Sequence, residues 1–142
     1  MSVLMCPVCR QALNLVANSW QCEKGHHYDV AKQGYVNLHV VQHKHSKTPG
    51  DTPDSVLARR EFLQAGFYQP LQQVMVELLQ QLKPKAVLDI GCGEGYYTHA
   101  MQPWTKHCVG VDIAKTAVQR AAKLNSRVVW VVGTGAILPV QD

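Results

Sequence analysis

The chain has 142 residues, of which 46% are hydrophobic, and it carries a formal net charge of +4. This length allows one ordinary domain, or a small module joined to part of a larger one. No apolar run approaches the roughly 20 residues that a membrane crossing needs, and no signal peptide is visible, so the sequence predicts a soluble cytoplasmic protein with no membrane partner. The modest positive charge permits an anionic partner such as RNA without requiring one.

Residues 1–38 form the first predicted unit, and their cysteines and histidines have the spacing of a metal site. A Cys-x2-Cys pair and a Cys-x3-His pair provide four candidate ligands: Cys6, Cys9, Cys22 and His26. A zinc ion prefers four such sulfur and nitrogen ligands in a tetrahedron, and a module this small needs a metal or disulfides to be stable. The sequence therefore predicts a closed, structural zinc site. His27 stays open as a rival fourth ligand, and plain reduced thiols are the alternative.

We predict a basic linker at residues 39–53, because histidines and lysines are followed there by turn residues, and the segment has no hydrophobic periodicity. A solvated loop and an RNA-contacting segment both fit this composition. Two helical pieces are predicted in 54–82, the first capped by Thr52 with Pro53 at its first position. Apolar residues recur at helical spacing through 71–82, which predicts a stripe packed on the sheet that follows.

The pattern then changes to alternating strands and helices. Strands are predicted at 86–90, 108–112 and 128–132, with helices at about 94–101 and 115–124 between them. This βαβαβ order is half of a Rossmann-like, doubly wound sheet, in which right-handed crossovers place the three strands in the order 3-2-1. The fold class is therefore α/β, and residues 54–142 are expected to contain two helices and the N-terminal half of a domain that is apparently truncated.

A glycine-rich turn after the first of these strands predicts a cofactor site. It reads Asp89-Ile-Gly91-Cys-Gly93-Glu-Gly95, and Asp112 ends the second strand. Glycines let a ligand approach the backbone closely, and an acid after the second strand accepts hydrogen bonds from ribose hydroxyls in nucleotide sites. Asp89 would repel a pyrophosphate and attract an ammonium group. That preference favours S-adenosylmethionine over a nicotinamide cofactor or a purely structural turn, and the alternative role for Asp112 is the N-cap of the next helix.

Together these motifs make the chain resemble the N-terminal portion of the bacterial 23S ribosomal RNA guanine-N1 methyltransferase family. The resemblance is carried by the two zinc-ligand pairs, the glycine turn, and four further segments: 31–38, 49–51, 58–60 and 66–71. It implies a zinc-ribbon-like module that recognises a ribosomal RNA hairpin, a homodimer, and methyl transfer from S-adenosylmethionine to guanine N1. It also implies cofactor contacts for Tyr68, Tyr97 and Thr98.

The chain departs from the family pattern in two places. Residues 133–139 are less polar than the resemblance leads us to expect, and no fourth strand follows them. Two other functions therefore stay open, namely a catalytically silent fragment that binds zinc and RNA, and a methyltransferase for a small molecule. No catalytic residue is assigned, because no side chain stands out as the base that would remove the guanine N1 proton.

Overall fold

The computed structural model of the protein describes residues 3–40, 47 and 49–141. Within them the chain forms two four-stranded sheets, one antiparallel and one parallel, and four α-helices. None of the described helices has the length and apolarity that crossing a membrane requires. Part of the predicted basic linker, residues 41–46 and 48, lies outside the described residues.

The antiparallel sheet is built from the N-terminal segment. Its strands are β1 (Leu4–Met5), β2 (Ala12–Val16), β3 (Ser19–Gln21) and β4 (His27–Asp29), and they pair in chain order. Each connection is a short turn, so both metal-ligand pairs of the sequence fall between or beside neighbouring strands. The zinc-ribbon-like module that the family resemblance implies is present as this sheet.

The parallel sheet consists of β5 (Tyr35–Asn37), β6 (Ala86–Ile90), β7 (His107–Asp112) and β8 (Val129–Val132), in the spatial order β5-β8-β7-β6. The three strands expected from the βαβαβ pattern have the predicted order 3-2-1. The fourth member, β5, pairs in parallel with β8 and was not foreseen. The division of the chain at residue 38 stays a prediction, but the strand just before that boundary belongs to the parallel sheet.

The helices are α1 (Pro53–Gln64), α2 (Gln69–Leu82), α3 (Tyr96–Met101) and α4 (Lys115–Leu124). Thr52 caps α1 as predicted, since its side chain accepts a hydrogen bond of 3.2 Å from the Ser55 amide. The third helix begins two residues later than the sequence suggests, after Gly95 in the left-handed conformation. A short 3₁₀ turn that contains Pro103 follows it.

The antiparallel sheet covers one face of the parallel sheet. Buried residues of both sheets form one cluster there: Leu4, Cys6, Leu13, Cys22, Val36, Leu38, Val109, Val111 and Val131. The alternate residues Cys108, Trp130 and Val132 point to the other face, where they pack with the buried residues of α4. Because a parallel sheet needs both faces shielded from water, the zinc-ribbon-like module takes the place of a second helical layer.

Polar contacts hold this module to the segment after β8. The Met5 amide donates to the Pro139 carbonyl at 2.9 Å, and the Arg10 guanidinium donates to the Leu138 carbonyl at 2.9 Å. The module is therefore joined to the segment that follows β8 as well as to the parallel sheet through the shared core.

The apolar stripe of α2 is not core, which corrects the sequence-based expectation. None of the residues of α2 is buried, and Leu71, Val74, Leu78 and Leu82 are between 48% and 66% exposed. Helical periodicity identifies an apolar face but not the surface that covers it. Among the described residues, β6 pairs with β7 alone and thus forms the sheet edge, so α2 has little sheet to pack on.

We expect Gly110→Ala to destabilise the fold by about 1–3 kcal/mol, because it overpacks the core. A Cβ atom at Gly110 would lie 2.7 Å from Cζ3 of the buried Trp130 ring. Gly133→Ala is the matched control, since its Cβ would meet its nearest neighbours at 3.5 Å, an ordinary contact. Urea unfolding of both variants measures the difference, and equal losses would contradict the packing argument.

Candidate functional site

Two tight turns bring the predicted metal ligands together. Cys6 and Cys9 lie in the turn between β1 and β2, and Cys22 and His26 lie between β3 and β4. In the second turn the Cys22 amide donates to the His26 carbonyl at 3.0 Å, and Gly25 takes a left-handed φ of +84°. These turns point all four side chains toward one small volume.

The four side chains fit a tetrahedral metal ion. Their ligand atoms all lie within 4.8 Å of one another, with Cys9 Sγ 3.6 Å from Cys22 Sγ and His26 Nδ1 3.3 Å from Cys22 Sγ. Zinc–sulfur bonds of about 2.3 Å in a tetrahedron place two sulfurs about 3.8 Å apart, close to the spacing found here. His27 lies outside the group, because it is exposed and its Nδ1 lies 3.2 Å from the Gly25 carbonyl.

The surroundings of Cys6 favour the thiolate that a metal needs. Burial raises the pKa of this thiol, but hydrogen bonds from the Tyr28 hydroxyl and from the backbone of Cys9 and Val8 lower it, and the result is a pKa of about 6. The Tyr28 hydroxyl lies 3.4 Å from Cys6 Sγ. Burial and the neighbouring thiols raise the pKa of Tyr28 itself, so it stays a hydrogen-bond donor.

The glycine turn opens onto a separate cavity of about 450 Å³, bounded by α1, by the turn between β6 and α3, and by the start of α4. This volume is in the range of small-molecule sites. Of the residues predicted to bind the cofactor, the structure brings five to the cavity wall: Asp89, Gly91, Gly93, Tyr97 and Asp112.

The three glycines of the turn have two different roles. All three have positive φ values, but Cβ atoms at Gly91 and Gly93 would meet nothing within 4 Å. A Cβ atom at Gly95 would lie 2.6 Å from the Trp130 ring and 2.7 Å from His99 Nε2. Gly91 and Gly93 thus leave their backbone open to the cavity, whereas Gly95 allows the turn to pack on the core.

Asp112 ties the glycine turn to the start of α4. Its Oδ2 accepts from the Gly93 amide and its Oδ1 from the Ala114 amide, both at 2.8 Å. Ala114, not Asp112, is the N-cap of α4, so the alternative role considered from the sequence does not hold. A carboxylate has further lone pairs, and those of Asp112 remain for a ligand in the cavity.

Asp89 is oriented by a hydrogen bond from Thr98, on the side away from the cavity. The Thr98 hydroxyl, which is fully buried, donates to Asp89 Oδ2 at 2.5 Å. Burial raises the pKa of Asp89, the negative charge of Asp112 adds to that rise, and the hydrogen bond from Thr98 opposes it. Thr98 therefore orients Asp89 rather than facing the cavity.

Tyr68, like Gly95 and Thr98, is a predicted cofactor residue that the structure does not place on the cavity wall. It is exposed, and its ring packs edge-on against Phe62 with ring centroids 5.6 Å apart. Tyr97 does line the cavity. Its pKa is raised mainly by burial and to a smaller extent by the neighbouring tyrosines.

Glu94 is a cavity residue that the sequence analysis missed. It accepts two hydrogen bonds from Arg60 of α1, of 2.7 and 2.5 Å, and lies 3.4 Å from Arg120 of α4. The ion pair fastens α1 over the glycine turn and so closes one side of the cavity. The available signal was an acid inside the glycine turn together with an arginine pair in the helix upstream.

Comparisons with known proteins agree with this architecture. Residues 4–47 match the RlmA N-terminal zinc-ribbon family, and residues 87–142 match a methyltransferase domain family. The chain therefore combines an RlmA-type zinc-ribbon segment with a methyltransferase-domain segment. The resemblance recognised from the sequence is confirmed, as is the α/β fold class.

Three curated relatives are all named as 23S rRNA guanine-N1 methyltransferases. The chain is 35% identical to a 23S rRNA (guanine(748)-N(1))-methyltransferase of Streptomyces fradiae, with 87% of the chain and 45% of the relative covered. Proteins of Micromonospora griseorubida and Bacillus subtilis, provisionally named 23S rRNA (guanine-N(1)-)-methyltransferases, are 32% and 29% identical. These alignments cover 98% and 99% of the chain, and 54% and 53% of the relatives. The chain thus spans about half the length of the curated relatives that it matches.

His26→Ala should lower zinc affinity by roughly tenfold or more, whereas His27→Ala should leave it unchanged, since only His26 lies in the ligand cluster. Metal content after dialysis against a competing chelator, together with thermal unfolding, measures both effects. Because the module shares a core with the parallel sheet, chelation should lower the melting temperature of the whole chain. Loss of zinc from the His27 variant alone would reverse the ligand assignment.

Proposed function

We propose that the protein containing this chain is an S-adenosylmethionine-dependent methyltransferase that acts on guanine N1 of 23S ribosomal RNA. The observation that carries the proposal is a cavity lined by Asp89, Asp112 and open glycine backbone, on a parallel sheet that packs against a zinc ribbon of the RlmA type. The alignments with two relatives named for this reaction cover 87% and 98% of the chain, and so extend over both parts. A zinc ion held by Cys6, Cys9, Cys22 and His26 is part of the proposal, with a structural role.

The side chains of the cavity divide the recognition of the cofactor among them. We assign Asp112 to the ribose hydroxyls and Asp89 to the ammonium group, with the backbone of Gly91 and Gly93 against the ligand. Tyr97 forms part of the wall, and Thr98 acts through Asp89. S-adenosylmethionine supplies an electrophilic methyl group, and the contribution of the protein is chiefly to align it with guanine N1. No general base is assigned among the described residues.

The proposal extends to partners and location. The substrate would be a 23S RNA hairpin, the native protein a homodimer, and the compartment the cytoplasm, where reduced cysteines persist. The described cysteines are all free thiols, which is compatible with that compartment.

The native gene product should methylate 23S ribosomal RNA from labelled S-adenosylmethionine, and the product should stop reverse transcription, since a methyl group on guanine N1 blocks base pairing. Asp112→Asn should weaken cofactor binding by roughly 10- to 100-fold, because it removes a charged hydrogen-bond acceptor. Asp29→Asn, an exposed acid of β4, is the matched control. Cofactor binding without RNA methylation would favour a small-molecule substrate, and absence of binding would favour the silent fragment.

Cofactor affinity should also fall at acid pH, and it should do so at a higher pH than for an ordinary carboxyl group. The folded pKa of Asp89 is raised, so as pH falls the group is protonated early and its attraction for an ammonium ion is lost. Thr98→Val removes the hydrogen bond that favours the ionised form, which moves this loss to still higher pH, whereas Thr98→Ser preserves it. Calorimetric titrations across pH measure the shift, and identical profiles for the two variants would contradict it.

A further inference from the structure

A second cavity, of about 310 Å³, lies beside the first, at the carboxyl ends of β5 and β8 and the start of α4. Asp51 and Ala114 line both cavities, so they form the wall between them. The loop that carries Asp51 lies tightly on this wall, because a Cβ atom at Gly50 would be 2.9 Å from Ala114 Cβ. The second cavity is therefore a distinct compartment, and none of the roles proposed above uses it.

Unused backbone donors open into this cavity from α4, a helix of 10 residues. Its N-cap is Ala114, and no side chain caps it. The amides of Ala117 and Val118 both donate to the Ala114 carbonyl, whereas those of Lys115 and Thr116 have no recorded acceptor among the described residues. Free amides at a helix N-terminus, with the positive end of the helix dipole, favour an anion.

His39 provides an independent reason to expect a ligand. It is 6% exposed and lines the cavity, yet its ring makes no hydrogen bond within the described part of the chain. An imidazole always carries at least one N–H group, and the ring nitrogens of His39 are accessible from the cavity instead of being sealed in the core. An acceptor atom inside the cavity could therefore pair with this N–H group.

The neighbours of His39 also present donors. Asn37 Oδ1 accepts from the His39 amide at 3.0 Å, which fixes the side chain and leaves its Nδ2 as a donor. Lys47, Lys115 and the Thr116 hydroxyl line the same space. Asp51 is the single carboxylate among the described residues of the lining, so the two lysines give this part of the wall a net positive charge.

We propose that this cavity is a phosphate-binding site that holds a backbone phosphate of the RNA substrate beside the cofactor cavity. A phosphate group has only acceptor oxygens, which suits a pocket of amide, imidazole, hydroxyl and ammonium donors. RNA as the source rests on the function proposed above, whereas the phosphate chemistry rests on the cavity alone. A phosphate held here would fix the RNA backbone relative to the glycine turn without reading the sequence.

The test uses His39→Leu and Lys115→Gln in the native gene product, with His107→Leu and Lys106→Gln as controls. The two control residues are exposed at the opposite end of the parallel sheet, at and just before the start of β7. In the first arm, inorganic phosphate is compared with chloride at equal ionic strength. Phosphate should raise the melting temperature of the native protein and of both control variants, and this rise should be lost in His39→Leu and Lys115→Gln.

In the second arm, binding of a 23S RNA fragment is measured as a function of salt. Lys115→Gln should weaken binding about three- to tenfold and reduce the slope of log K against log salt by about 0.7–0.9, the value for one lost phosphate contact. Cofactor affinity should not change. A phosphate effect without a change in RNA binding would support the site with free phosphate as its ligand, even if the proposed RNA function fails. Equal behaviour of cavity and control variants in the phosphate arm would overturn the proposal.

Discussion

The packing of the zinc-ribbon-like sheet on one face of the parallel sheet is the constraint on which the rest of the structure depends. Side chains alternate along β7, so Val109 and Val111 face the ribbon while Cys108 faces α4. Both crossover helices lie on the same face, because the strands proceed in one direction from β6 to β8. The other face would meet water without the ribbon. The candidate metal site therefore lies in a module that contributes to the core of the methyltransferase domain.

This arrangement also determines how the two cavities are built. Trp130, buried on the α4 side, leaves room for no side chain at Gly95 or Gly110, so it supports the glycine turn from below. Asp112 then links that turn to the first residues of α4. The geometry of the cavity at the glycine turn thus follows from core packing, and a change in the core is expected to shift Asp112.

Local sequence patterns predicted local structure correctly, but they could not predict contacts between residues far apart in the chain. The candidate zinc ligands are close in sequence, and the order of β6 to β8 follows from the handedness of crossovers, so the grouping of the four side chains and the strand order could both be predicted. The pairing of β5 with β8 joins residues nearly a hundred positions apart in the sequence. A three-residue strand is also too short for its hydrophobic periodicity to be recognised. The stripe of α2 failed for a related reason. Periodicity defines an apolar face, and only the tertiary structure decides what lies against it.

The sequence of a motif also says little about which of its atoms are exposed to a cavity. Gly91, Gly93 and Gly95 look equivalent as letters, because each permits a positive φ. In the structure Gly91 and Gly93 expose backbone to a cavity, whereas Gly95 leaves space that the Trp130 ring occupies. Tyr68 and Thr98 show the same divergence, one packed on Phe62 and the other buried behind Asp89. A glycine motif therefore defines a turn, and the residues packed beneath it decide which of its atoms can touch a ligand.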